Sequence, residues 1–145
     1  LTLDEYQSLA LRTESPPVDT TGQVITAKLL PPAVRTLHGA MGLCSEAGEL
    51  IDPLKKHVFY GKPLDFTNIA EEIGDILWYA AIVADACGTT LGKIAAANVA
   101  KLKQRYGEKF SEEAALARDL EAERMILEQH IASGLGVPAG LADSK

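Results

Sequence analysis

Apolar residues recur three and four positions apart along nearly the whole chain, and no stretch alternates apolar with polar over a strand's length. With glycine and proline as punctuation, that period predicts an all-α protein, most simply a helical bundle. A first helix is expected over 2–13, with Thr2 as N-cap and Leu3, Tyr6, Leu9 and Ala10 on one face. The stretch ESPPVDTTGQVITAKLLPP (14–32) breaks the pattern with four prolines and a glycine; a connection so long is either a lid or a structureless linker. A second helix starts near Pro31–Pro32 and runs through AVRTLHGAMGLCSEAGELID, followed by turn chemistry at 59–65. The third covers FTNIAEEIGDILWYAAIVADAC, capped by Thr67 and stopped by Gly88. The fourth runs from Leu91 to Tyr106 and ends at Gly107. SEEAALARDLEAERMILEQHIAS (111–133) opens like a capping box and reads as one fifth helix, with Leu116, Leu120, Leu127 and Ile131 at helical spacing. The remainder, 135–145, reads as a flexible tail.

A length of 145 residues at 47% hydrophobic composition suffices for one buried core. A net charge of −6 argues against a nucleic-acid surface. Cys44 and Cys87 are isolated in apolar runs, which fits neither a metal motif nor a disulfide framework and points to a reducing cytoplasm. No apolar run suits a membrane span. LTLDEYQSL lacks the regions of a signal peptide, and its initial Leu suggests that a few native residues precede it.

Two features strain the second and third helices. Glycines at 39, 42, 48 and 74 each cost ~1 kcal/mol against alanine in a helix, which close approach of a neighbouring helix or a ligand would offset. Pro53 cannot donate to the Glu49 carbonyl, so a kink or break is expected there, or a helix end near Asp52.

The acids of these helices carry the chemistry. Glu46 and Glu49 form E-x-x-E on the second helix, while Glu72 and Asp75 form E-x-x-D on the third. A spacing of three puts each pair on one side of its helix. No Lys or Arg stands three or four residues from any of the four, and their flanks, AGELI and IGDILWY, are apolar. On the second helix Leu37, Met41, Cys44, Gly48 and Ile51 make the expected core stripe, with the acids on the neighbouring face. On the third the stripe is Ile69, Ile73, Ile76, Leu77, Ala80, Val83, Ala84 and Cys87, with Trp78 and Ile82 opposite it, as at a subunit interface. A short turn between the helices makes them antiparallel and gathers the acids, which then need protons or a cation. An oxygen-only set suits Mg²⁺, Mn²⁺ or Ca²⁺, and the lack of E-x-x-H disfavours di-iron chemistry. Mg²⁺ shares its coordination with phosphates, so a di- or triphosphate is the expected ligand. KKHVFYGK offers Lys55, Lys56, His57 and Lys62 to hold one, and NVAKLKQR offers Asn98, Lys101 and Arg105 along one face.

EAGEL, then EEIGD from Glu71, then NVAKLKQRY, resembles the MazG-like all-α nucleoside triphosphate pyrophosphatases over about residues 35–110. The resemblance implies a four-helix-bundle core, within 1–110, and a homodimer or homotetramer; the helix at 111–134 departs from it, lying beyond that core, and is expected to pack on the core or on a partner subunit. It implies Mg²⁺-dependent hydrolysis (Mn²⁺ substituting) of a nucleoside triphosphate to the monophosphate and pyrophosphate, as nucleotide house-cleaning. Glu46, Glu49, Glu72 and Asp75 then hold metal, Glu46 or Glu49 orients or deprotonates the attacking water, and Asn98, Lys101 and Arg105 contact substrate. Tyr79, one turn past Asp75, packs on sugar or base. His38, ~16 Å up the helix from Glu49 at about 1.5 Å per residue, is a base contact. Phosphoribosyl-ATP pyrophosphatase activity and a non-catalytic nucleotide- or metal-binding oligomer are the alternatives. A nucleotide panel separates them.

Overall fold

The computed structural model describes residues 1–26 and 30–131. The expected tail at 135–145 lies outside the described residues. The described chain is all-α: six α-helices, with no strand beyond an isolated Val18–Val24 bridge. It divides after Cys87 into two compact units. Among the described residues no single helix is long and apolar enough to cross a membrane.

In the first unit α1 (Leu3–Ala10) begins at a capping box. The Thr2 hydroxyl accepts the Glu5 N–H at 3.1 Å, and the Glu5 carboxylate accepts the Thr2 N–H at 2.7 Å. A 3₁₀ turn, Leu11–Thr13, follows. The segment after it is partly built: Asp19 Oδ1 accepts the N–H groups of Thr21 and Gln23, which closes a tight turn.

Helix α2 spans Pro32–Tyr60, 29 residues, and passes through Pro53 without the expected break or early end. A proline in a helix interior costs about 3 kcal/mol. Here the ring is buried, and the exposed Asp52–Lys56 pair over the same turn adds little. The helix ends instead at Gly61, whose φ of 63° suits glycine. Helix α3 (Phe66–Ala86) starts two residues earlier than a Thr67 cap would require. Asp65 is the cap, extended and accepting from Thr67 and Asn68 N–H at 3.1 and 3.0 Å.

α2 and α3 pack closely because two glycines allow it. A Cβ on Gly42 would lie 2.1 Å from the Tyr79 ring, and one on Gly39 would lie 2.5 Å from Val83 Cγ2. At Gly48 and Gly74 a Cβ would meet nothing within 4 Å, so helix packing does not account for those two. The glycine side of α2 is thus its inner side. The stripe expected in the core is displaced outward: Leu37, Met41 and Ile51 are 61%, 65% and 60% exposed, and Cys44 is exposed too. Period alone could not tell a large apolar face from a small-residue face as the one that packs. On α3 the expected stripe is split: Ala84 is buried while Ile73, Leu77 and Cys87 are exposed, and Ile82, expected opposite it at a subunit interface, is fully buried within the chain, as is Ala81, with Glu72 buried too.

The N-terminal segment is stitched along α3. Tyr6 Oη donates to the Gly74 carbonyl at 3.2 Å, and Trp78 Nε1 reaches the Ala10 carbonyl at 3.1 Å and Thr13 Oγ1 at 2.9 Å. Buried Arg35 binds Glu14 through two hydrogen bonds, 2.9 and 2.7 Å, and Asp85 at 2.8 Å. Two carboxylates on one guanidinium raise its pKa above its ordinary value, the Glu14 hydrogen bonds foremost.

In the second unit α4 (Leu91–Tyr106) is capped by Thr90 and ends at Gly107, φ 65°. The single fifth helix expected over 111–133 is two helices, α5 (Glu112–Leu116) and α6 (Leu120–Ile131). Ser111 caps α5 as expected; Asp119 Oδ1 then accepts the Ala122 N–H at 2.9 Å, and this second N-terminus interrupts the helix. Leu116 and Leu120 are 82% and 63% exposed, so the first half of the expected stripe does not pack, while Leu127 and Ile131 are half-buried. α6 packs on α4, where buried Glu123 accepts from Nε and Nη2 of Arg105, at 2.7 and 2.6 Å, and from Nη2 of Arg118 at 2.8 Å.

Candidate metal centre

Contacts along the α2–α3 hairpin fix its register: Gly39 meets Val83, Gly42 meets Tyr79, and Glu46 meets the Glu72–Asp75 turn. Numbers rise on one helix as they fall on the other, so the pair is antiparallel, as a short turn demands. One carboxylate oxygen from each of Glu46, Glu72 and Asp75 lies within 4.8 Å of the others. Glu72 is buried at 6% exposure, Glu46 is half-buried and Asp75 exposed. Glu49 stands outside this triplet and is exposed, and the same register sets it opposite Glu72.

The electrostatics agree with that placement. Burial raises the Glu72 pKa above the ordinary carboxylate value, and the charges of Glu49, Glu46 and Asp75 push the same way. Asn68 opposes them by donating Nδ2 to Glu72 Oε1 at 2.7 Å. The Ser45 hydroxyl lies 3.1 Å from Glu46 Oε1. Among the described residues no Lys, Arg or His forms an ion pair with any of the four acids. The donor set is all oxygen, strongly negative and partly buried, which fits a hard divalent cation and offers nothing to a soft one.

Tyr79 and His38 meet edge to face, ring centroids 6.0 Å apart, and the Tyr79 ring also covers Gly42. His38 lines a cavity of about 320 Å³ beside Pro16, Pro17, Leu30 and Val34. Lys55 and Lys62 are exposed on and after the last turns of α2, where Lys56 is paired with Asp52 and His57 Nδ1 lies 2.8 Å from the Lys62 carbonyl oxygen. Asn98, Lys101 and Arg105 lie on α4, in the second unit. Arg105 is engaged by Glu123, a partner sequence reasoning missed. Also missed were Asn68, whose i,i+4 spacing from Glu72 was a legible signal, and Tyr6 and Arg35, whose partners are too far along the chain to be read.

Fold and site together define an all-α protein with an acidic, oxygen-only centre held between two antiparallel helices. The sequence profile of the MazG nucleotide pyrophosphohydrolase domain matches residues 37–110, and the chain belongs to that family. All four acids fall inside the match, while Tyr6, Glu14, Arg35 and Glu123 fall outside it. Neither a search of curated proteins nor one of solved structures found a significant match. Membership implies a pyrophosphohydrolase acting on nucleotides.

Proposed function

We propose that the protein hydrolyses nucleoside triphosphates, deoxy or ribo, to the monophosphate and pyrophosphate, with Mg²⁺ as cofactor and Mn²⁺ as substitute, clearing unwanted nucleotides in the cytoplasm. The observation that carries this reading is the convergence of Glu46, Glu72 and Asp75 oxygens within 4.8 Å, with no ion pair to any of them among the described residues. When bound, the divalent ion polarises phosphate oxygens and acidifies water.

The side chains divide the remaining work. Glu46, Glu72 and Asp75 hold the ion. Glu49, beside that triplet but outside it, orients the attacking water and accepts its proton, with Glu46 as the neighbouring candidate for that role. Lys55 and Lys62, exposed on and after the last turns of α2, hold phosphate oxygens. The cavity lined by His38 takes the base, and its size of about 320 Å³ lies in the range of small-molecule sites. Tyr79 supports His38 from behind. The exposed Leu37, Met41 and Ile51 support a homodimer or homotetramer in which a second copy covers the outer face of α2.

The test is a panel of nucleoside triphosphates incubated with Mg²⁺ or Mn²⁺, with the products identified. Monophosphate plus pyrophosphate is expected, and diphosphate plus phosphate would refute the assignment. No turnover on any nucleotide would leave a non-catalytic binding protein.

A further inference from the structure

Helix α1 lies outside the family match, yet one of its side chains reaches the acidic centre. Tyr6 is half-buried, and its hydroxyl donates at 3.2 Å to the carbonyl of Gly74, inside the turn of α3 that runs from Glu72 to Asp75. Gly74 needs an explanation: it softens the helix where two site acids must be held, and no neighbouring atom demands a missing Cβ there. A second donor on that carbonyl restrains the backbone at the position where it is freest.

We propose that Tyr6 is a positioning residue of the acidic centre, its hydroxyl pinning the Gly74 carbonyl so that Glu72 and Asp75 keep one mutual orientation. The proposal rests on the reading of these acids as divalent-cation ligands. Burial first and the Asp75 charge second raise the Tyr6 pKa, so the hydroxyl stays a donor throughout the neutral range. α1 does not depend on this bond for its place. Trp78 holds Ala10 and Thr13, and Arg35 holds Glu14, at the other end of the segment. Removing the hydroxyl therefore leaves α1 docked.

Tyr6→Phe isolates the hydroxyl, and binding of Mn²⁺ alone, without nucleotide, is the readout, measured calorimetrically beside the melting midpoint of the metal-free protein. Mn²⁺ affinity is expected to fall roughly three- to tenfold, with the metal-free midpoint lowered by no more than the loss of one hydrogen bond accounts for. Adding Gly74→Ala, which stiffens the same turn and has open space for its methyl, is expected to restore much of the loss. Wild-type affinity in Tyr6→Phe overturns the proposal. So does a midpoint that falls by more than one hydrogen bond accounts for, with Gly74→Ala restoring no affinity, which makes Tyr6 a packing residue. A wild-type protein that binds no Mn²⁺ overturns instead the cation reading beneath it, and the proposal with it.

Discussion

Asn68 and Glu72, one turn apart on α3, share a 2.7 Å hydrogen bond that favours the ionised form of the most buried acid of the centre. Everything else acting on that carboxylate, burial and three neighbouring negative charges, works against its ionised form. A carboxyl whose folded pKa is raised destabilises the fold once it ionises, increasingly as pH rises through that pKa. Glu72→Gln keeps an acceptor for Asn68 and removes the charge. It is expected to raise the melting midpoint of the metal-free protein at pH 7 and to abolish the further rise that Mn²⁺ gives the wild type. Differential scanning calorimetry with and without Mn²⁺ reads both effects.

Glu49 separates catalysis from metal holding. Glu49→Gln is expected to lower kcat by roughly 10²–10⁴-fold, the usual worth of a general base. Its Mn²⁺ affinity should stay much nearer the wild-type value than that of Glu72→Gln. Steady-state kinetics beside a Mn²⁺ titration checks this; full activity in Glu49→Gln would remove it from the mechanism.

The Arg105–Glu123–Arg118 cluster makes stability depend on acid. Hydrogen bonds from Arg105 and then Arg118 hold the Glu123 pKa at about 2, below its ordinary 4.5. The resulting stabilisation is fully present above about 4.5 and is lost as pH falls toward about 2. Denaturation curves across that window should show the second unit weakening, and Glu123→Gln should flatten the dependence while lowering stability at pH 7.

Two glycines of α2 should respond in opposite directions to the same substitution. Gly42→Ala drives a methyl into the Tyr79 ring and is expected to cost about 1–3 kcal/mol, as overpacking does. Gly48→Ala meets nothing and is expected to gain up to about 1 kcal/mol from helix propensity. Urea titrations of the two variants decide it.

Met41 and Leu37 test the proposed assembly. Replacing Met41, 65% exposed, with Glu should convert an oligomer to monomer in sedimentation velocity without changing helix content. A wild type that already sediments as a monomer would contradict the assembly.

The helices and their acids were legible because period and i,i+3 spacing are local properties. Thr2 and Ser111 were readable as caps for the same reason. What escaped was set by contacts across the fold. Gly39 and Gly42 turn α2 so that its small side packs and its large apolar side faces out, which periodicity cannot rank. Pro53 was read as a breaker because sequence does not show that its ring is buried within a helix that continues. Between α5 and α6 the Asp119 carboxylate accepts the Ala122 N–H and starts a new helix, and Asp65 likewise accepts the Thr67 N–H and takes the α3 cap.

Trp78 is the chain's sole tryptophan, and its indole N–H donates to the Ala10 carbonyl and the Thr13 hydroxyl. Its fluorescence is therefore a native gauge of whether the N-terminal arm is seated. Release of that arm would shift the emission to longer wavelength before the α2–α3 hairpin melts, so docking and global unfolding can be followed as separate optical events without adding a dye.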